Sequence, residues 1–71
     1  METRSDSFGE RLDNAIRVKY PTVTAFARET GISYNTIKQW IQEKRYPRCD
    51  QLVYLSSCLD ISIDWLLMGK V

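Results

Sequence analysis

Asn35 and Gln39 stand four residues apart, so on a helix they share one face, one turn from each other. Each carboxamide offers a donor and an acceptor in one plane. That geometry pairs bidentately with N6 and N7 of adenine in the major groove of duplex DNA. Tyr34 and Thr36 beside them can touch a thymine methyl, while Ser33 and Lys38 add a hydroxyl and a cation. An α-helix fits that groove, and its first turns reach the base edges. Two alternatives stay open. Asn and Gln are ordinary residues on any exposed helix face, and a tyrosine at position 34 can pack on the sugar–phosphate backbone rather than on a base.

Charge supports the first use. The net charge is only +1, but residues 33–48 carry Lys38, Lys44, Arg45 and Arg48 against Glu43 alone, for +3. Residues 1–32 are balanced and residues 49–71 sum to −2. A basic stretch this local attracts a phosphate backbone whatever the total charge, though it is also compatible with a solvated loop.

Other chemistries are poorly served. With 71 residues the chain makes one small domain, stable by roughly 3–5 kcal/mol and without room for a cofactor cavity. It has no histidine and no nucleophile–base pair, which argues against an enzyme. The same absence, with two cysteines far apart, argues against a metal site. Cys49 and Cys58, on one helix, would lie on opposite faces roughly 13 Å apart along the axis. That excludes a disulfide between them and predicts free, half-buried thiols, as in a reducing cytoplasm. No apolar run approaches the ~20 residues of a membrane span, and no secretory segment is present. The expected location is cytoplasmic, with the nucleoid, and no membrane or cofactor is expected.

Five helical segments can position these residues, giving an all-α fold. Residues 1–6 are polar and expected to fray, and 70–71 form the C-terminal end. From Ser7 to about Lys19, Phe8, Leu12, Ala15 and Ile16 recur at helical spacing, with Ser7 and Glu10 in a capping-box pattern. Tyr20-Pro21 ends this helix. Thr22 can cap a second helix over about 23–30, with Val23, Phe26 and Ala27 inward and Gly31 as its left-handed end. Ser33 can cap a third helix, over about 33–41, with Ile37, Trp40 and Ile41 inward. A fourth runs from about Cys49 to Leu59 on Leu52, Leu55 and Leu59. Ser62 opens a short fifth, with Trp65, Leu66 and Leu67, ending near Gly69. Trp40 and Trp65 read as core residues rather than stacking platforms.

The second and third helices are joined by Gly31-Ile32-Ser33, too tight for an antiparallel hairpin, so they cross steeply as in a helix-turn-helix. Ala27 supplies the small side chain at the crossing, and Phe26, Ile32, Ile37 and Trp40 the apolar wedge. With Phe8-Gly9-Glu10-Arg11-Leu12, Phe26-Ala27, Gly31-Ile32-Ser33, Thr36-Ile37, Trp40, Pro47, Leu52 and Ser62-Ile63-Asp64-Trp65-Leu66-Leu67 in order, the chain resembles the lambda-repressor-like helix-turn-helix family, phage-repressor branch. The resemblance covers 8–69 and implies a compact five-helix DNA-binding domain over 7–69.

It further implies base reading by Tyr34, Asn35 and Gln39, supported by Ser33, Thr36 and Lys38. Phosphate contacts would come from Thr22, Thr24, Lys44, Arg45 and Arg48. The implied function is a transcriptional regulator, a phage or prophage repressor that binds double-stranded operator DNA as a homodimer. Trp65, Leu66 and Leu67 are candidates for the dimer contact as well as for the core. The resemblance also admits an antirepressor partner or a further C-terminal domain outside this chain. The rival reading is a protein-interaction module of the same fold, antitoxin-like or antagonist, without DNA binding. Its third helix should be apolar or acidic where this one is polar and basic.

Four positions depart from the family pattern. Val23 stands where the family often has a phosphate-contacting Gln, so that anchor is either missing or replaced by Thr24. Thr30 stands at a usually apolar position, and Glu43 and Asp60 replace glycines that follow the third and fourth helices. The Glu43 carboxylate is expected to face the phosphates unless it pairs with Lys44 or Arg45.

Overall fold

The computed structural model describes residues 7–69; the segment expected to fray, 1–6, and the end at 70–71 lie outside the described residues. Helices α1 (Phe8–Lys19), α2 (Val23–Thr30), α3 (Tyr34–Ile41), α4 (Cys49–Leu59) and α5 (Ile63–Met68) follow in order, with no strand among the described residues.

Four of the five begin in the same way. A hydroxyl at the N-cap accepts a backbone N–H that has no partner within the helix. Ser7 takes Glu10 N at 3.2 Å, Thr22 takes Ala25 N at 3.1 Å, Ser33 takes Thr36 N at 3.4 Å and Ser62 takes Trp65 N at 3.0 Å. At α4, where Arg48 is the N-cap, Gln51 Oε1 instead accepts Arg48 N at 2.8 Å. Gly31 (φ 77°) and Gly69 (φ 72°) end α2 and α5 in the left-handed region, and Asp60 (φ 57°) ends α4 the same way. Asp60 therefore adopts a backbone form that glycine favours, at a modest steric cost that Asp tolerates better than most residues.

Helix α1 is the central strut and packs on each of the other four; α2 pairs with α3, and α4 with α5. The core is the apolar face expected of each helix: Phe8, Leu12 and Ile16 from α1, Val23 and Phe26 from α2, Ile37 and Trp40 from α3, then Leu55, Leu59 and Leu66. Tyr20 closes one end, with its ring edge-on to Phe26 at 5.1 Å. Several expected interior residues sit at the margin: Ile32, Ile41, Leu52 and Trp65 are only partly buried against this core. The expectation of half-buried thiols fails at Cys49, which is exposed in the first turn of α4, and holds for Cys58. Both thiols are free.

One buried charge holds the last helix in place. Arg11 is 7% exposed, and its Nε and Nη2 donate to Leu66 O and Leu67 O, each at 2.9 Å. These are carbonyls of the last turn of α5, which the helix itself leaves without donors, and a cation there also suits the helix dipole. Leu66 is thus a core residue, whereas Leu67 and Met68 are exposed. Among the described residues no helix is long and apolar enough to cross a membrane.

Candidate nucleic-acid interface

The turn before α3 is closed by its own atoms. Gly31 takes the left-handed conformation, and Thr30 Oγ1 donates to Phe26 O at 2.9 Å while accepting Ile32 N at 3.2 Å. Tyr54 of α4 then donates its hydroxyl to Thr30 O at 3.1 Å. A hydroxyl at position 30 therefore spans the end of α2 and the start of the turn, a task an apolar residue could not perform.

This turn rolls α3 so that Ile37 (0% exposed) and Trp40 (2%) enter the core. The opposite face is left to solvent. Tyr34 (45% exposed), Asn35 and Gln39 are exposed, and Thr36 and Lys38 are half-buried beside them. Ser33 is exposed, and its oxygen caps α3, which leaves its hydroxyl proton and one lone pair for other partners.

The C-terminal end of α3 passes directly into the basic connector. Both Lys44 N (2.9 Å) and Arg45 N (3.3 Å) donate to Gln39 O, so the backbone of the two cations hangs from a residue of the polar face. Thr36, Gln39, Trp40, Arg45, Tyr46, Arg48 and Gln51 line one open hollow of about 310 Å³. Two expected phosphate-contacting residues and two of the expected reading face thus meet in one place. Arg48 is exposed and lies 3.8 Å from Asp50; among the described residues Lys44 and Arg45 make no ion pair. Tyr34, Asn35, Lys38 and Lys44 lie outside the hollow.

At the start of α2 the structure sorts the candidates. Val23 is buried in the core and cannot replace a phosphate-contacting Gln, whereas Thr24 is exposed. Thr22 is exposed, with its oxygen already engaged as the cap of α2.

Glu43 departs from expectation. Its carboxylate faces α1 rather than phosphates, Lys44 or Arg45: Oε2 accepts Gly9 N at 2.9 Å and Oε1 accepts the Tyr46 hydroxyl at 3.1 Å. The Gly9 N–H bond, followed by Ser7 and Tyr46, holds its pKa below the ordinary carboxylate value of 4.5. The same contact raises the Tyr46 phenol. Gly9 is where the two helices touch, since a Cβ there would lie 1.9 Å from Ile41 O. Reasoning from the sequence missed this contact and the buried Arg11. One signal was present: a glycine inside a helix pattern is destabilising by about 1 kcal/mol relative to alanine, which hints at a close approach.

Comparison with known proteins agrees with this geometry. Over residues 10–70 the chain matches the bacteriophage CI repressor helix-turn-helix domain. It is 33% identical over 66 residues to an uncharacterized HTH-type transcriptional regulator of Haemophilus influenzae, an alignment that covers 93% of this chain and 27% of that protein. The chain therefore spans about a quarter of the length of that curated relative. No solved structure is a significant match. Because the family match runs from the first turn of α1 past the end of α5, it takes in every helix that holds α3. The chain belongs to the bacteriophage CI repressor helix-turn-helix domain family, a family of DNA-binding transcriptional regulators.

Proposed function

We propose that residues 7–69 form a sequence-specific DNA-binding domain of a phage or prophage repressor, which occupies operator DNA as a dimer and excludes RNA polymerase from an overlapping promoter. The observation that carries this reading is the division of α3. Ile37 and Trp40 are buried, and Tyr34, Asn35 and Gln39 are exposed on the same eight-residue helix. Tyr34, Asn35 and Gln39 read base edges, with Ser33, Thr36 and Lys38 in support. Thr22, Thr24, Lys44, Arg45 and Arg48 contact phosphates. One domain reads too few base pairs for tight binding, so two copies on half-sites about 34 Å apart are required. Leu67 and Met68, exposed at the end of α5, supply apolar surface for a contact between copies.

Selection of binding sites from random duplex DNA tests this reading. An inverted repeat with half-sites one turn apart is the expected product. Asn35→Ala and Gln39→Ala should each relax preference at one base pair and weaken the matched site by roughly 1–3 kcal/mol. An unchanged ranking of sites in the Gln39 variant would remove that residue from the reading set. Absence of any enriched duplex would favour a protein-interaction module.

A further inference from the structure

We propose that Glu43 is a positioning residue for DNA binding, which ties the connector carrying Lys44 and Arg45 to the N-terminus of α1 and so presents both cations in a fixed place beside α3. This role rests on the DNA-binding reading above.

Glu43 has φ 61°, a conformation that disfavours any side chain with a Cβ. Such a residue persists where its side chain makes contacts that offset the strain. Here Oε2 takes the N–H of Gly9, one of the free donors in the first turn of α1, where a negative charge is favoured. Oε1 takes the Tyr46 hydroxyl, and the Tyr46 ring lies 5.6 Å from that of Phe8, also in α1. Glu43 and Tyr46 thus bracket Lys44 and Arg45 in the chain and anchor both ends of that segment to one helix. Between the anchors, Lys44 N and Arg45 N bond to Gln39 O, which fixes the segment to the reading helix as well. The lone acid of residues 33–48 is thereby held on a helix terminus rather than presented to phosphates. A connector without these anchors would have to be ordered on binding, and that ordering weakens affinity.

The test uses the full chain and the duplex enriched by the wild type, with folding checked by urea denaturation at the binding temperature. Glu43→Gly relieves the positive φ while removing the carboxylate. It should weaken binding to that duplex roughly five- to tenfold, leave the ranking of sites unchanged and flatten the salt dependence. Arg45→Ala provides the reference for a uniform loss of this kind. Glu43→Gln keeps an acceptor for Gly9 N and should recover most of the affinity, which a role confined to turn geometry does not predict. If Glu43→Gly binds as tightly as the wild type, or alters base preference instead, the positioning role is overturned while the DNA-binding reading stands. If the wild type enriches no duplex, the DNA-binding reading itself fails, and this role with it.

Discussion

At the junction before α3 the left-handed residue is Gly31, φ 77°, and a Cβ built there would meet no described atom within 4 Å. At the junction after α3 it is Glu43, φ 61°, and its side chain reaches 34 residues back along the chain to Gly9. The first junction needs only backbone freedom. Its geometry is completed nearby, by Thr30 bonding to Phe26 and Ile32. The second tolerates a strained backbone because the side chain joins two helices. Glycine therefore suits a turn whose shape is its whole task, and a longer residue suits one that must also hold position. Helix α3 is aimed by a local device at its N-terminus and by a long-range one at its C-terminus.

Four substitutions or conditions sharpen this contrast. Gly9→Ala strikes the long-range junction where backbone meets backbone, and neither side can yield by rotating a side chain. It should destabilise the fold by at least ~3 kcal/mol in urea denaturation, near the limit for a domain of this size. A loss below about 1 kcal/mol would mean that α1 and α3 separate easily, and the second junction would then be soft. Thr30→Val removes the hydroxyl that closes the local junction and leaves Ile32 N without its acceptor, a loss of about 1–2 kcal/mol by the same measurement. Gly31→Ala meets open space and feels only the backbone penalty, about 1 kcal/mol. A larger loss than that for Thr30→Val would reverse the assignment of what closes this turn.

Acid is the mildest probe. Glu43 is held below its ordinary pKa, chiefly by the Gly9 N–H, so its contribution is full above the unfolded value near 4.5 and is lost as pH falls through the lower folded value. The gap in stability between wild type and Glu43→Gln should thus be constant at neutral pH and close only in that acidic window. A gap that closed between pH 6 and 7 would point to some other group.

Much of this arrangement is legible in single residues. Ser7, Thr22, Ser33 and Ser62 each stand at the observed start of a helix, because a hydroxyl three positions before a backbone N–H is a local cap needing no tertiary context. Gly31 likewise announces the end of α2. The candidate site divides in the same way. That Ile37 and Trp40 face inward, with Tyr34, Asn35 and Gln39 outward, follows from helical spacing alone. The meeting of Gln39 and Arg45 at one hollow does not, since it depends on how the connector folds back. The buried Arg11 was hidden for a related reason. A charged residue in an amphipathic helix reads as exposed until carbonyls 55 and 56 residues away arrive to receive it.

The amino-acid sequence by itself thus determined the five helices, the hydroxyl caps of four of them, the tight turn and which face of α3 is polar. Each of these depends on interactions within about four residues along the chain or on the period of one helix. Tertiary structure alone decided that Gly9 is a contact point, that Arg11 caps α5, and that Glu43 turns its charge to α1 rather than toward Lys44 and Arg45. A carboxylate has no preferred partner in a sequence. It goes to the donors that packing brings within reach, and here those are the Gly9 N–H of α1 and the Tyr46 hydroxyl.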